Sequence, residues 1–383
     1  MGDGSGRSSL GENALGEIAL LFLRLGLTAF GGPAAHLGLM EREAVTRRRW
    51  MSRESFLDLV GACNLLPGPT STEVAMSLGY TRGRWPGLVV AGVCFITPAA
   101  LATLGLAWAY VKYGSLPQAQ GLLYGAKPAM VALVVHAILK LGRAALKTAW
   151  LPVAGIACLA AALLGAPPLA VLLAGGGVTL GVAWGRRRRS SAVGLALLPM
   201  GVGGGAASAV GLLPLALAFL KLGVVVFGSG YVLLAFLQAD LVDRLHWVTQ
   251  GQLLDAVTAG QITPGPLFAS ATFLGYVIGG WGGAAVATLA IFVPSFVLAG
   301  AAAMLAGRVR RSALAGAFLD GVNVAAVAVM ASVALTLGRA ALVDGWTLGI
   351  GIASFGLLIG TKVNPAWLIL GGAAVGMAAH GLR

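Results

Sequence analysis

Residues 22–32, FLRLGLTAFGG, return 197 positions later as FLKLGVVVFGS at 219–229. The same offset carries Arg47 to Arg244, Trp50 to Trp247, Asp58 to Asp255 and Pro67-Gly68-Pro69 to Pro264-Gly265-Pro266. After one deleted residue the offset becomes 196, mapping Trp85 onto Trp281, Pro98 onto Pro294 and LGRAAL 141–146 onto 337–342. Self-similarity on this scale means one architecture written twice. The repeated unit is apolar. The chain is 58% hydrophobic and 10% charged, where an ordinary soluble domain carries about 25% charged residues. Uncharged runs at 192–213 and 283–307 exceed the roughly 18 residues that mark a spanning helix. The expected fold is an all-α polytopic membrane protein built from two repeats of about five membrane segments each.

Charge decides how the repeats are related. Loop 41–53 holds five arginines (Arg42, Arg47, Arg48, Arg49, Arg53), whereas its equivalent at 238–250 keeps only Arg244 beside Asp240 and Asp243. Conversely, 308–311 holds three arginines and its equivalent at 112–115 only Lys112. Positive loops face the cytoplasm, so equivalent loops lie on opposite sides and the repeats are inverted, a mark of secondary transporters. The expected organisation is a polar tail at 1–16, a first repeat at 17–184, a linker at 185–213 that is a candidate for membrane embedding, and a second repeat at 214–383. The same rule places Arg82 and Arg84 inside, beside loop 41–53, only if residues 55–80 dip into the bilayer and return. That makes the PGP segment a re-entrant hairpin. Residues 17–40 and 214–239 are either full spans or further hairpins broken at FGGP and FGSG. The count is about ten spans, or nine plus hairpins.

The net charge of +13 does not signal nucleic acid, because the basic residues sit in short clusters between apolar spans. Cys63, Cys94 and Cys158 are widely spaced, and four scattered histidines give no metal site. No Walker motif, GxSxG or paired catalytic constellation is present. No cofactor is expected, and an enzyme has nothing to stand on.

Prolines in an apolar segment are tolerable only where the freed backbone is buried or lines a cavity. In LLPGPTSTE 65–73 one helix ends near Leu66 and another begins at Thr70, with TSTE reading as a capping box. The new terminus attracts anions, and an inverted copy at Pro266–Phe268 presents a second. The expected anion site therefore joins Pro67, Gly68, Pro69, Thr70 and Ser71 with Pro264, Gly265 and Pro266. The equivalent breaks Phe30-Gly31-Gly32 and Phe227-Gly228-Ser229 are grouped with it. Arg24 and Lys221 are equivalent cations within apolar spans, each expected to supply charge, with snorkelling to the interface as the plain alternative. Asn64 and Gln261 add amide donors. Glu73 is the acid beside a PGP and the candidate proton carrier, with Asp58 and Asp255 next. His36 is either a relay or a helix-surface residue.

FGGPAAHLGLMEREAVTRRRW through NLLPGPTSTEVAMSLGY, with FGSGYVLLAF and QITPGPLF downstream, closely resembles the chromate ion transporter family in its long two-domain form. The resemblance covers about 17–382 and implies efflux of chromate across the bacterial inner membrane, driven by the proton-motive force and conferring resistance. Many members carry Gln where this chain has Asn64 and Glu73. A sulfate-type uptake carrier and a passive anion channel are the alternatives. The implied partners are a chromate- or sulfate-like oxyanion, protons and the lipid bilayer, with a homodimer the one protein assembly considered.

Overall fold

A computed structural model of the chain describes residues 5–30, 32–187, 210–227, 230–309, 313–361 and 363–381. Among them are fourteen α-helices. In the first half they are α1 (Ser5–Thr28), α2 (Gly32–Glu41), α3 (Arg53–Cys63), α4 (Thr70–Tyr113), α5 (Pro117–Ala145), α6 (Leu151–Leu163) and α7 (Pro168–Arg187). In the second they are α8 (Leu212–Val225), α9 (Val232–Leu237), α10 (Gln250–Ile262), α11 (Ser270–Val309), α12 (Ala313–Ala341), α13 (Gly345–Gly360) and α14 (Pro365–Gly381). Most of the linker and the last two arginines of 308–311 lie outside the described residues.

The repeat extends to the backbone. A turn of π-helix follows α2 at Arg42–Arg47 and α9 at Gln238–Arg244. Shortly after each comes a residue with positive φ, Arg49 at 52° and its equivalent His246 at 52°. The next helices start with matching caps: Ser52 accepts from the Ser55 amide, and Thr249 from the Gln252 amide.

α4 and α11 are long only nominally. At Gly83 and Arg84 the backbone leaves helical geometry (φ 55°, ψ −147° at Arg84), as it does at the equivalent Gly279 and Gly280. Beyond the break each chain folds back. Gly79 lies against the Gly87 backbone and Gly275 against that of Gly283, and neither pair leaves room for a Cβ. Each is therefore a helical hairpin with one short and one long arm. The long arms, 85–113 and 281–309, are kinked at Pro98 and Pro294.

Those long arms cross the centre antiparallel. Trp85 fills the space over Gly300, and Phe296 fills that over Gly92, so one residue number rises as the other falls. Equivalent helices running in opposite directions are what an inverted repeat requires. Tyr80 and Trp85 meet edge-to-face at the hairpin tip of one half, and Tyr276 and Trp281 at that of the other. Such aromatic pairs suit the two membrane–water interfaces.

The halves also interlock. α5 packs on α13 and α14 of the other half, while α12 packs on α6 and α7. Glycine permits the closest approaches, Gly125 against Gly372 and Gly376, and Gly321 against Gly175, as small residues do between helices in lipid.

Among the described residues four helices are long and apolar enough to cross a membrane, two of them the hairpins α4 and α11. Two helices are shorter than the spans of about 20 residues that the count of ten assumes. α6 has 13 residues and α13 has 16, about 20 and 24 Å at the helical rise, against about 30 Å of hydrocarbon.

Both hairpin questions resolve the same way. Glu17, midway along α1, reaches Arg48 at 2.7 Å and Arg82 at 3.3 Å. One carboxylate therefore joins the middle of α1, the loop after α2 and the tip of the α4 hairpin at a single level. Residues 17–47 enter and return, and so do 53–82, as two re-entrant hairpins.

Candidate functional site

The two PGP segments meet at the centre and are pinned reciprocally. The Gly68 amide donates to the Val226 carbonyl at 2.6 Å, and the Gly265 amide donates to the Ala29 carbonyl at 2.9 Å. Ala29 and Val226 are repeat equivalents, each following the last turn of its half's first helix. Every PGP loop thus borrows an acceptor from the other half, where helix breakage has freed it. Pro67 and Phe227 form an isolated antiparallel bridge at the same crossing. Gly68 has φ 131° and Gly265 φ 98°, conformations that side chains rarely adopt.

α4 begins at Thr70 with Pro69 as its N-cap, and no side chain caps it. The expected capping box is not formed. The Thr72 and Glu73 amides turn to the Pro69 carbonyl, and Glu73 lies one position too far along to reach back. Its side chain instead folds over Gly68. A Cβ on that glycine would stand 3.1 Å from the Glu73 carboxyl carbon and 3.2 Å from the Ser295 hydroxyl oxygen. Glu73 and Ser295 are fully buried, and neither carboxylate oxygen nor the hydroxyl has a hydrogen-bond partner among the described residues. The hydroxyl of Thr72 is in the same state.

The second terminus differs. A three-residue 3₁₀ turn, Leu267–Ala269, separates Pro266 from α11, which starts at Ser270. Ser270, the equivalent of Glu73, is buried with an unpartnered hydroxyl. Where Ser295 faces Gly68, its equivalent Ala99 puts a methyl over Gly265, 2.8 Å from where a Cβ would lie.

The other expected residues distribute unevenly. His36 is buried, which removes the helix-surface alternative. Its Nε2 lies 3.1 Å from the Ala29 carbonyl, which can only accept, so Nε2–H donates there and Nδ1 accepts from Ser71 at 3.2 Å. Gln261 is hydrogen-bonded with Tyr231, whose hydroxyl approaches Gly32. Asn64 is exposed at the C-cap of α3. Phe30 is half-buried beside the α1 break, and Gly31, Gly228 and Ser229 lie outside the described residues.

Arg24 and Lys221 are not brought to the crossing. Arg24 is exposed on the α1 face shared with Leu20, Leu23 and Leu27. Lys221 is exposed and paired with Asp240 at 2.7 Å, where Arg244 also binds. Both occupy the helix side opposite the glycine, Gly26 or Gly223, that packs on the proline-kinked arm. Asp58 is half-buried on α3. Asp255 is buried on α10, 3.2 Å from Lys127 and 3.1 Å from the Tyr110 hydroxyl. Ser295 was not singled out from the sequence. Its signal was a break in the repeat, a serine after Pro294 where alanine follows Pro98.

Re-entrant helices from two inverted repeats, crossed at a buried polar cradle, define a multi-pass membrane transport protein, a class distinct from enzymes. The comparisons with known proteins agree. A family model described as chromate transporter matches residues 16–180 and 213–377. A chromate transport protein of Cupriavidus metallidurans is 30% identical over 380 residues, 96% of this chain and 94% of that protein. A probable chromate transport protein of Synechococcus elongatus is 31% identical over 347 residues, 88% of each. A chromate transport protein of Pseudomonas aeruginosa is 33% identical over 382 residues, 93% of this chain and 90% of that protein. The chain belongs to the chromate transporter family. No solved structure matches it.

Proposed function

We propose that the chain exports chromate, or a closely similar tetrahedral oxyanion, across the bacterial inner membrane, with Glu73 carrying the proton that couples transport to the proton-motive force. The arginine face (Arg42, Arg47–Arg49, Arg53, Arg82, Arg84) is assigned to the cytoplasm by the positive-inside rule. The observation that carries the reading is Glu73, fully buried beside Gly68 and Ser295 at the start of α4 with no partner for its carboxylate among the described residues.

A helix N-terminus supplies about half a positive charge, too little to hold a dianion beside an ionised carboxylate. Glu73 and the anion therefore occupy the cradle together only when Glu73 is neutral. Ionised, it fills the anion's place and turns toward the α4 terminus itself. Binding and protonation are thereby linked through one side chain, so the proton leaves with the anion; the membrane potential drives export, and an alkaline rather than an acid exterior accelerates it. With Arg24 and Lys221 facing outward, the donors nearest the anion are the α4 amides, Ser295 and Thr72. Leaving an inside-negative cell is downhill for the anion, since two charges moving through 100 mV gain about 4.6 kcal/mol.

The test is oxyanion flux in proteoliposomes, with pH gradient and membrane potential set independently, alongside survival of a chromate-sensitive host. Wild type is expected to respond to both gradients and to protect the host. Glu73→Gln keeps anion binding and the response to potential but loses acceleration by the pH gradient. A variant that responds to pH as wild type does places coupling elsewhere. A host made more sensitive by the wild-type gene replaces export by uptake, and flux independent of any pH gradient in wild type makes the protein a channel.

A further inference from the structure

On the face opposite the arginines a cavity of about 650 Å³ opens between the ends of α4 and α12 and the starts of α5 and α10, lined in part by Tyr110, Ser115, Gln120, Lys127, Gln252 and Asp255. Tyr110 lies 26 residues along the long α4 arm from Arg84, roughly 35–40 Å by the helical rise. It lies 11 residues beyond Ala99, about 17 Å from the second PGP. The cavity therefore stands between the central crossing and the far surface.

Its floor holds an ion pair. Asp255, 3% exposed, comes from α10 and sits 3.2 Å from Lys127 of α5, whose side chain remains 25% exposed. Tyr110 of the long α4 arm donates to the other carboxylate oxygen at 3.1 Å. The fold does not require this cluster. The equivalents of Lys127 and Tyr110 in the second half are Asn323 and Ala306, so this lysine–tyrosine pair is not repeated there. It is an addition at one end of an otherwise repeated scaffold.

We propose that this cavity is a docking site for a tetrahedral oxyanion on its way between the crossing and the far surface, with Lys127 as the binding cation and Asp255 as its resident competitor. The inference rests on reading the chain as an oxyanion carrier. An ammonium has three protons. Asp255 faces one side of it, and the exposed side meets the cavity, where Gln120, Gln252 and Ser115 offer further donors. An incoming dianion draws Lys127 toward itself, while the Tyr110 hydroxyl keeps Asp255 satisfied. Because Asp255 competes for Lys127, the anion is held weakly and leaves readily, as a conduction pathway needs.

The experiment uses sulfate as the probe, since chromate oxidises thiols. Ser115→Cys is placed in the full chain lacking Cys63, Cys94 and Cys158, purified in neutral detergent free of anionic lipid. Its labelling by a thiol reagent is followed against sodium sulfate, with sodium gluconate as control. Sulfate is expected to slow labelling. Lys127→Gln should raise the half-protecting concentration about ten-fold, the scale of one charge-assisted hydrogen bond, and Lys127→Arg should restore it. Asp255→Asn should lower that concentration, because the competitor is gone. A purely structural ion pair gives weaker protection in both variants, and that outcome overturns the proposal, as does a parent chain that sulfate does not protect. If Lys127→Gln fails to fold, adding Asp255→Asn removes the unpaired carboxylate, and the sign of Asp255→Asn alone still decides. Protection without oxyanion flux in liposomes sinks the carrier reading and not the site. Flux without protection sinks the site alone.

Discussion

At the first crossing Gly68 faces the carboxyl of Glu73 and the hydroxyl of Ser295; at the second Gly265 faces the Ala99 methyl, and Ser270 stands where the acid would be. The backbones are nearly interchangeable, with a positive-φ glycine in each and one hydrogen bond to the partner half. What the fold needs is thus present twice. The buried acid is present once, although an unpartnered polar group in that position is costly. Symmetry supplies the scaffold, and the departures from it are where we place the chemistry. The vestibule at Lys127 follows the same pattern.

The largest expected effect concerns the scaffold. Gly265→Ala places a Cβ against the Ala99 methyl at φ 98°, combining backbone strain with overpacking. It should cost about 2–4 kcal/mol, read as a lowered melting temperature in detergent. Gly68→Ala meets only the Glu73 side chain, which can swing aside, and should cost about 1–3 kcal/mol from the backbone alone. Adding Ala99→Gly should recover part of the first loss and none of the second. Equal losses with no rescue would show that the two cradles are packed alike.

A smaller effect separates the polar groups. Ser295→Ala gives the first cradle the alanine that the second has at Ala99, without removing a hydrogen bond among the described residues. Stability should stay within about 0.5 kcal/mol, while the half-saturating anion concentration rises three- to ten-fold, the range of about 0.5–1.5 kcal/mol for a neutral hydrogen bond. The mirror change Ala99→Ser should leave that concentration unaltered. If Ala99→Ser moves it as much as Ser295→Ala does, the anion uses both crossings equally.

The smallest concerns the hairpin tips. Arg84 holds φ 55° and ψ −147°, which its equivalent Gly280 adopts without strain. Arg84→Gly should stabilise the fold by about 0.5–1 kcal/mol, the backbone relief being partly offset by loss of the guanidinium over the Tyr80 ring. A drop in melting temperature would mean that the ring contact or the charge outweighs the strain.

The repeat, its inversion and the re-entrant PGP segment were all readable from residue order. A self-similar pattern survives whatever the packing does, and the positive-inside rule acts on loops, where sequence neighbours are also spatial neighbours. Glu73 was legible for the same reason, four residues from Pro69. What the order of residues left open was decided by tertiary contacts. Arg24 and Lys221 read as site cations because they lie in apolar spans, but helix rotation turned them outward once Gly26 and Gly223 took the face packed on the kinked arms. The capping box at Thr70–Glu73 was a local expectation, overridden when Pro69 took the N-cap and Glu73 closed over Gly68. Ser295 reaches Gly68 from 227 positions away, and Lys127 reaches Asp255 from 128. Local rules carry no information about such pairs, because only the antiparallel crossing of the long arms and the interlocking of the halves bring them together.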